Sequence, residues 1–193
     1  MATKESAVNE SGFTLVELLV ACILIVVVML GVASLMVTLI KAPRLVTSRI
    51  YAADSGQVVA HSIGQGIRNS SNFRLTTPSG PDQLLVARTA QNGSPLTWVC
   101  AAWYFSASDG SVRYHQSLTA IPAVPTSTDL ASWSVLGSSV APSSGTGIFT
   151  VSGQELVTSF TVAAAGQSGQ PTGQLITTSV FSRGGSGGSP ACY

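Results

Sequence analysis

The sequence predicts an α+β protein. A long amino-terminal transmembrane helix, kinked near Pro43, should pack its second half on a carboxy-terminal antiparallel β-sheet. Three observations lead there. Hydrophobic residues make up 45% of the 193 and charged residues only 9%, against roughly 25% charged in an average soluble domain. The apolar excess, a mean hydropathy of +0.40, is concentrated in one run, Phe13 to Ile40, whose only charge is Glu17. The remainder consists of short β-branched and aromatic runs separated by Gly, Pro and Ser, the pattern of strands and turns. Lys and Arg number 9 against 8 Asp and Glu, a net charge of +1. That balance excludes charge-rich disorder. It gives no support to nucleic acid as a partner, since dedicated binders carry a basic excess.

The apolar run comes first. A helix needs about 20 apolar residues to cross a bilayer core, and this run is long enough. It is too long for a signal-peptide core of about 7–15 residues, and no A-x-A site follows it. A short polar leader, MATKESAVNESG, precedes it. Glu17 sits five residues in, and a carboxylate at membrane depth is costly and commonly functional. Beyond the run, Pro43 disfavours helix at the residue before it and should bend the helix. Val46, Ile50, Val59, Ile63 and Ile67 then form an apolar stripe at helical spacing. Gly56, Gly64 and Gly66 count against that helix, at about 1 kcal/mol each relative to Ala. The helix should fade near Asn69 to Asn72.

Strands follow. Gln83–Ala87 is a short apolar run. Thr97–Phe105 and Val112–Gln116 flank Asp109-Gly110, and together they read as an antiparallel hairpin. Trp133–Val140, Ile148–Val151, Leu156–Ala165 and Leu175–Arg183 are further strands. Residues 119–129 and 166–174 read as loops, and the tail Gly184–Pro190 is Gly/Ser-rich. Catalytic constellations are thin: there are two histidines, His61 and His115, no G-x-S-x-G that precedes a helix in an α/β context, no phosphate loop and only scattered carboxylates. The expectation is no enzyme activity, no cofactor and no metal. Asn69-Ser70-Ser71 and Asn92-Gly93-Ser94 match glycosylation acceptors, a pattern common by chance.

The string Gly12-Phe13-Thr14-Leu15-Val16-Glu17 resembles the processing site of type IV prepilins and type II secretion pseudopilins. In that family a prepilin peptidase cuts after the glycine on the cytoplasmic face and methylates the new amino-terminal residue. The resemblance implies cleavage after Gly12, N-methylation of Phe13, and an assembly role for Glu17. Glu17 would pair with the Phe13 amine of its own or a neighbouring chain, which relieves the cost of burying either charge alone. Ser11 stands where the family often has Lys or Arg. The hairpin and the closing pair of strands look most like those of minor pilins and J-type minor pseudopilins. The division implied is a cleaved leader at 1–12, a transmembrane and filament-core helix at 13–42, and its amphipathic continuation at 43–72. An exported β domain at 73–183 and a tail at 184–193 complete it.

Lys41, Arg44 and Arg49 follow the apolar run while only Lys4 precedes it, so the positive-inside rule alone would retain the large part in the cytoplasm. The prepilin resemblance implies the opposite, a cytoplasmic amino terminus in the inner membrane and an exported domain. Export would put Cys100 and Cys192 in an oxidising compartment. There they either form a disulfide that ties down the tail or stay as free thiols. Cys22, inside the membrane run, reads as an apolar filler. The expected partners are prepilin peptidase, membrane lipid before assembly, and other pilins or pseudopilins through the helix. The expected function is a structural or assembly subunit of a type IV pilus, competence filament or type II secretion pseudopilus. The alternatives are a tip-located adhesin or DNA-uptake module on the same scaffold, and a plain single-pass membrane protein.

Overall fold

A computed structural model describes residues 14–91, 97–145, 147–163, 173–183 and 192–193; within the first helix the side chains of residues 38 and 40–46 are left undescribed. The chain divides into two compact units, Met1–Val46 and Thr47–Tyr193. The architecture is α+β. Helix α1 spans Leu15–Arg68 and its helical backbone continues through Pro43. The strands are β1 (Ser70–Thr76), β2 (Gln83–Gln91), β3 (Thr97–Ser106), β4 (Ser111–Ser117), β5 (Ser134–Gly137), β6 (Val140–Pro142), β7 (Phe149–Ser152), β8 (Glu155–Val162) and β9 (Gln174–Phe181), with a short helix α2 at Ser127–Ser132. They form two antiparallel sheets. One has the order β1-β2-β3-β4-β5. In the other, β9 pairs along the whole of β8, while β7 pairs with the first half of β8 and β6 with its second.

Three expectations need correction. Strand β1 begins at Ser70, inside the stretch assigned to the helix continuation and its fading end. The segment 119–129, read as a loop, enters α2, whose start is a reciprocal capping box between Thr126 and Asp129. The stretch Trp133–Val140, read as one strand, is split. Ser139 has a φ of 59°, and the chain leaves the first sheet at β5 and enters the second at β6 there. A non-glycine residue in that region is uncommon. The backbone bond from Ala163 N to Ser139 O, 3.0 Å, holds it in place.

The second unit is built around residues 47–68 of α1. Val59, Ile63 and Ile67 of the expected stripe are fully buried, but Ile50 is 54% exposed and Ala52 takes the inward position. Buried Gly56 lies on the same stripe. Two of the three glycines that weaken the helix locally, Gly56 and Gly66, make room for side chains of the sheets. A Cβ at Gly66 would collide with the Trp103 ring, and one at Gly56 with the Ile176 side chain. Trp103 also donates from Nε1 to Ser62 Oγ at 2.9 Å. Around this helix Leu85, Ala87, Ala101 and Phe105 of the first sheet meet Leu156, Phe160, Val162 and Val180 of the second in one core. A second cluster lies on the other face of the first sheet, where Leu84, Val86, Cys100, Ala102 and Tyr104 meet Ile121, Trp133 and Cys192. Burial on both faces is why β2 and β3 read as continuous apolar runs rather than alternating ones. By contrast β8 alternates strictly, with Leu156, Thr158, Phe160 and Val162 turned inward.

Two polar devices brace the fold, one between the sheets and one within the first sheet. Gln83 is buried, 8% exposed. Its Oε1 accepts from Ile148 N (2.7 Å) and Phe149 N (2.9 Å), and its Nε2 donates to Phe149 O (3.0 Å). One side chain thus fastens β2 to the start of β7. Gln83→Leu strands three backbone groups, each costing about 1–3 kcal/mol when left unpaired. Urea denaturation should show a loss of about 3 kcal/mol with an unchanged slope, water recovering part of the deficit. The second device is Asp82, which accepts from Tyr104 Oη (2.6 Å) and from Ala107 N (2.8 Å).

Burial, reinforced by the bond to Asp82, pushes the Tyr104 phenol well above its ordinary value of 10.0. A raised pKa favours the protonated phenol in the folded state. Its stabilising contribution is therefore complete below pH 10.0 and lost as the pH climbs beyond it. Stability measured across that alkaline range should fall less steeply in Tyr104→Phe than in the parent.

The hairpin turn follows the expected Asp-Gly chemistry. Asp109 Oδ1 accepts from Ser111 N at 3.0 Å. Gly110 has a φ of +63°, and a Cβ there would sit 2.8 Å from Val140 O. Burial alone would raise the Asp109 carboxyl, but hydrogen bonds from Ser111, Ser106 and Arg113 outweigh it and hold the pKa below the ordinary carboxylate value.

Candidate functional site

The first turn of α1 opens at Thr14. Glu17 N donates to Thr14 O (3.0 Å) and to Thr14 Oγ1 (3.3 Å), and Leu18 N donates to Thr14 O (3.2 Å). Thr14 is therefore the helix cap, and Glu17 occupies the third helical position. A helix start leaves four amide N–H groups without intrahelical partners, so a threonine oxygen there is stabilising. An acidic residue in that turn also complements the positive end of the helix dipole. The pattern Thr14-x-x-Glu17 is half of a capping box. The signal for it, threonine three residues before glutamate at the head of an apolar run, is present in the sequence. Gly12 and Phe13, the expected processing bond, lie outside the described residues.

Behind this turn lies the apolar span. Leu15–Val37, 23 residues, is long and apolar enough to cross a membrane, and none of it is buried by the rest of the chain. At 1.5 Å per residue it covers about 34 Å, slightly more than a hydrocarbon core of about 30 Å. Its side chains are exposed all round: Leu15 80%, Val20 50%, Val28 64%, Leu35 66%. Apolar surface on every side of a helix requires a cover of lipid or of other helices. Glu17 is exposed and is the only charged residue within the span. Cys22 is an exposed free cysteine on it. Chemically the segment offers a capped, acidic helix start on an apolar shaft whose one hydroxyl side chain, Ser34, donates to Gly31 O at 2.8 Å. It can insert, and it can pack against its like.

The expected cysteine pair lies in the second unit. Cys100 at the centre of β3 and Cys192 form a disulfide, with Cα atoms 5.4 Å apart and 92 residues of separation. Ile121 N donates to Cys192 O at 2.9 Å, so the end of the chain is held by backbone as well as by sulfur. Tyr193 lies beyond it, its ring under the Arg74 guanidinium at 4.3 Å. Sequence reasoning missed two devices on this face, Asp82 on Tyr104 and the stacking of His115 on Trp133 at 5.1 Å, and one on the opposite face, Gln83 on Ile148 and Phe149. Only the tertiary fold brings their partners together. His61 lies on the exposed side of α1, and among the described residues no three His, Cys, Asp or Glu side chains converge on a point.

Residues 8–33 match the family model described as the prokaryotic N-terminal methylation motif. The matched stretch contains the polar residues before Gly12, the Gly12–Phe13 bond, the Thr14 cap, Glu17 and most of the apolar span. It supports the pilin and pseudopilin family, and it implies processing by prepilin peptidase and assembly with other pilins. No curated protein and no solved structure matches the chain.

Proposed function

We propose that the chain is a minor pilin or minor pseudopilin, a subunit that builds or primes a type IV pilus, competence filament or type II secretion pseudopilus. The observation that carries this reading is the 23-residue apolar helix, unburied on every side, that opens on a capped turn holding Glu17 within the methylation motif. In this reading residues 1–12 are the leader, cut after Gly12, and Phe13 becomes the methylated amino terminus. The chain waits in the cytoplasmic membrane with that terminus inside and its β domain exported. Polymerisation moves the helix from lipid into a bundle of like helices, so the same apolar surface is covered before and after. The function is structural rather than catalytic. The C-terminal disulfide fits the oxidising side of the membrane.

The deciding experiment is amino-terminal sequencing and mass measurement of the protein from cells that possess the peptidase. A chain beginning at N-methylated Phe13 is expected. An intact Met1 would overturn the reading in favour of a plain single-pass membrane protein.

A further inference from the structure

We propose that β9 is a pairing edge for a second copy of this chain, the two β domains joining their second sheets antiparallel about a twofold axis at Thr178. The inference stands on the second unit alone and does not depend on the proposed function. A sheet edge presents a row of backbone donors and acceptors, and folded proteins commonly blunt it with charge, proline, a bulge or shortness. The other outer strands carry such devices. β1 holds Arg74 and a register shift between Ser70 and Asn72. β5 and β7 have four residues each, and β6 ends on Pro142. β9 carries none of them. Its eight residues contain no charge, no proline and no glycine, and its register with β8 is unbroken from Gln174 to Phe181. Among the described residues β8 is its one strand partner.

The backbone of this edge is sorted by the strand it already pairs with. Ser182 N donates to Gln154 O at 3.1 Å, so in the alternating ladder Val180, Thr178 and Ile176 also turn their N–H and C=O toward β8. Leu175, Thr177, Ser179 and Phe181 turn theirs to the open edge. Their side chains are exposed on the outer face, Leu175 by 55% and Phe181 by 60%. What selects a second copy is the order of residues. Read from either end, the strand gives two apolar residues, then hydroxyl residues, then two apolar residues: Leu175-Ile176, Thr177-Thr178-Ser179, Val180-Phe181. Antiparallel pairing about Thr178 sets Leu175 of one copy opposite Phe181 of the other, Ile176 opposite Val180 and Thr177 opposite Ser179. Every pair is like with like, and such cross-strand pairs are what stabilises a sheet. Residues bonding outward also meet residues bonding outward, so the ladder between the copies closes. The nearest register that keeps these bonds sets Leu175 opposite Ser179 or Thr177 opposite Phe181, which mixes apolar with hydroxyl. A twofold interface requires one self-complementary patch, and β9 is such a patch.

The test uses the full chain in an excess of detergent micelles, with Cys22→Ser removing the free thiol. At the axis Thr178 faces its own copy, with Cα atoms about 4.5 Å apart in a pair of this type, within reach of a disulfide. Thr177 faces Ser179, so the two Thr177 residues lie about 7–8 Å apart on the diagonal, beyond easy reach. Under mild oxidation Thr178→Cys should therefore cross-link to a dimer at least about tenfold faster than Thr177→Cys. Adding Thr177→Lys with Ser179→Lys to Thr178→Cys sets like charges opposite one another at exposed positions, and should slow cross-linking by about tenfold or more. A second measurement needs no new cysteine. Differently tagged parent chains should co-purify, and the pair Thr177→Lys, Ser179→Lys should not co-purify with itself. Nor should the pair Thr177→Glu, Ser179→Glu, whereas the two variants mixed should co-purify again. Equal cross-linking rates at 177 and 178, or parent chains that do not co-purify, overturn the proposal. So does association that survives the lysine pair, which would belong to the apolar helix instead.

Discussion

Glu17→Ala is expected to leave the protein in the membrane and to remove it from filaments. Insertion should if anything improve, because a carboxylate near the helix start adds up to about 2.5–3.5 kcal/mol to the cost of entering lipid. Assembly should fail, because the proposed pairing with the Phe13 amine is lost and an ammonium is left to be buried alone among apolar helices. The rival role of Glu17 is structural, as the third residue of a capped turn. The two roles separate cleanly. The bond from Glu17 N to Thr14 Oγ1 uses the backbone and survives substitution by alanine. Thr14→Ala removes that cap at a cost of about 1 kcal/mol while keeping the charge, and should assemble nearly as the parent does. Immunoblots of membrane and sheared-filament fractions would read both variants. Normal incorporation of Glu17→Ala would remove the pairing role.

The second large effect is on the fold. Cys192→Ser should destabilise the β domain by about 4–5 kcal/mol, the chain-entropy value for a closed loop of this size, from a separation of 92 residues. Domains commonly total only about 5–15 kcal/mol, so the loss would be about a quarter of the stability or more. Cys100→Ser should match it, and the double variant should lose no further, since either change opens the same loop. Reductant should lower the denaturation midpoint of the parent to that of the variants and leave theirs alone. Denatured parent without reductant should show one titratable thiol, Cys22. Three would mean that the bridge does not form in the cell, and equal midpoints with and without reductant would mean that it carries no stability.

The long helix, the central hairpin and the closing strands β8 and β9 were legible because each carries its own local signal. An unbroken apolar run, an Asp-Gly turn between aromatic strands, and the alternation of Leu156, Phe160 and Val162 need no tertiary knowledge. The misreadings arose where tertiary contacts outweighed local preference. Gly56 and Gly66 spoke against a helix, yet they are where Ile176 and Trp103 require space. Ser139 carries no turn signature, yet its left-handed backbone splits one strand into two sheets. Ser70–Thr76 is polar at alternate positions and short, and only pairing with the strong strand β2 makes it extended. At the candidate site the charge of Glu17 was conspicuous and the cap of Thr14 was overlooked, although the same six residues encode both.

The two helix glycines have a mechanical consequence. Ten residues separate them, which at 1.5 Å and 100° per residue places them about 15 Å apart along the axis and about 80° apart around it. One receives a methyl group from the second sheet and the other an indole from the first. The helix is therefore indexed like a shaft with two offset keyways: it can neither slide nor turn without lifting a side chain out of its notch. A tensile load applied along residues 47–68 would be resisted in shear at both notches together, and β strands, not loops, would carry it onward.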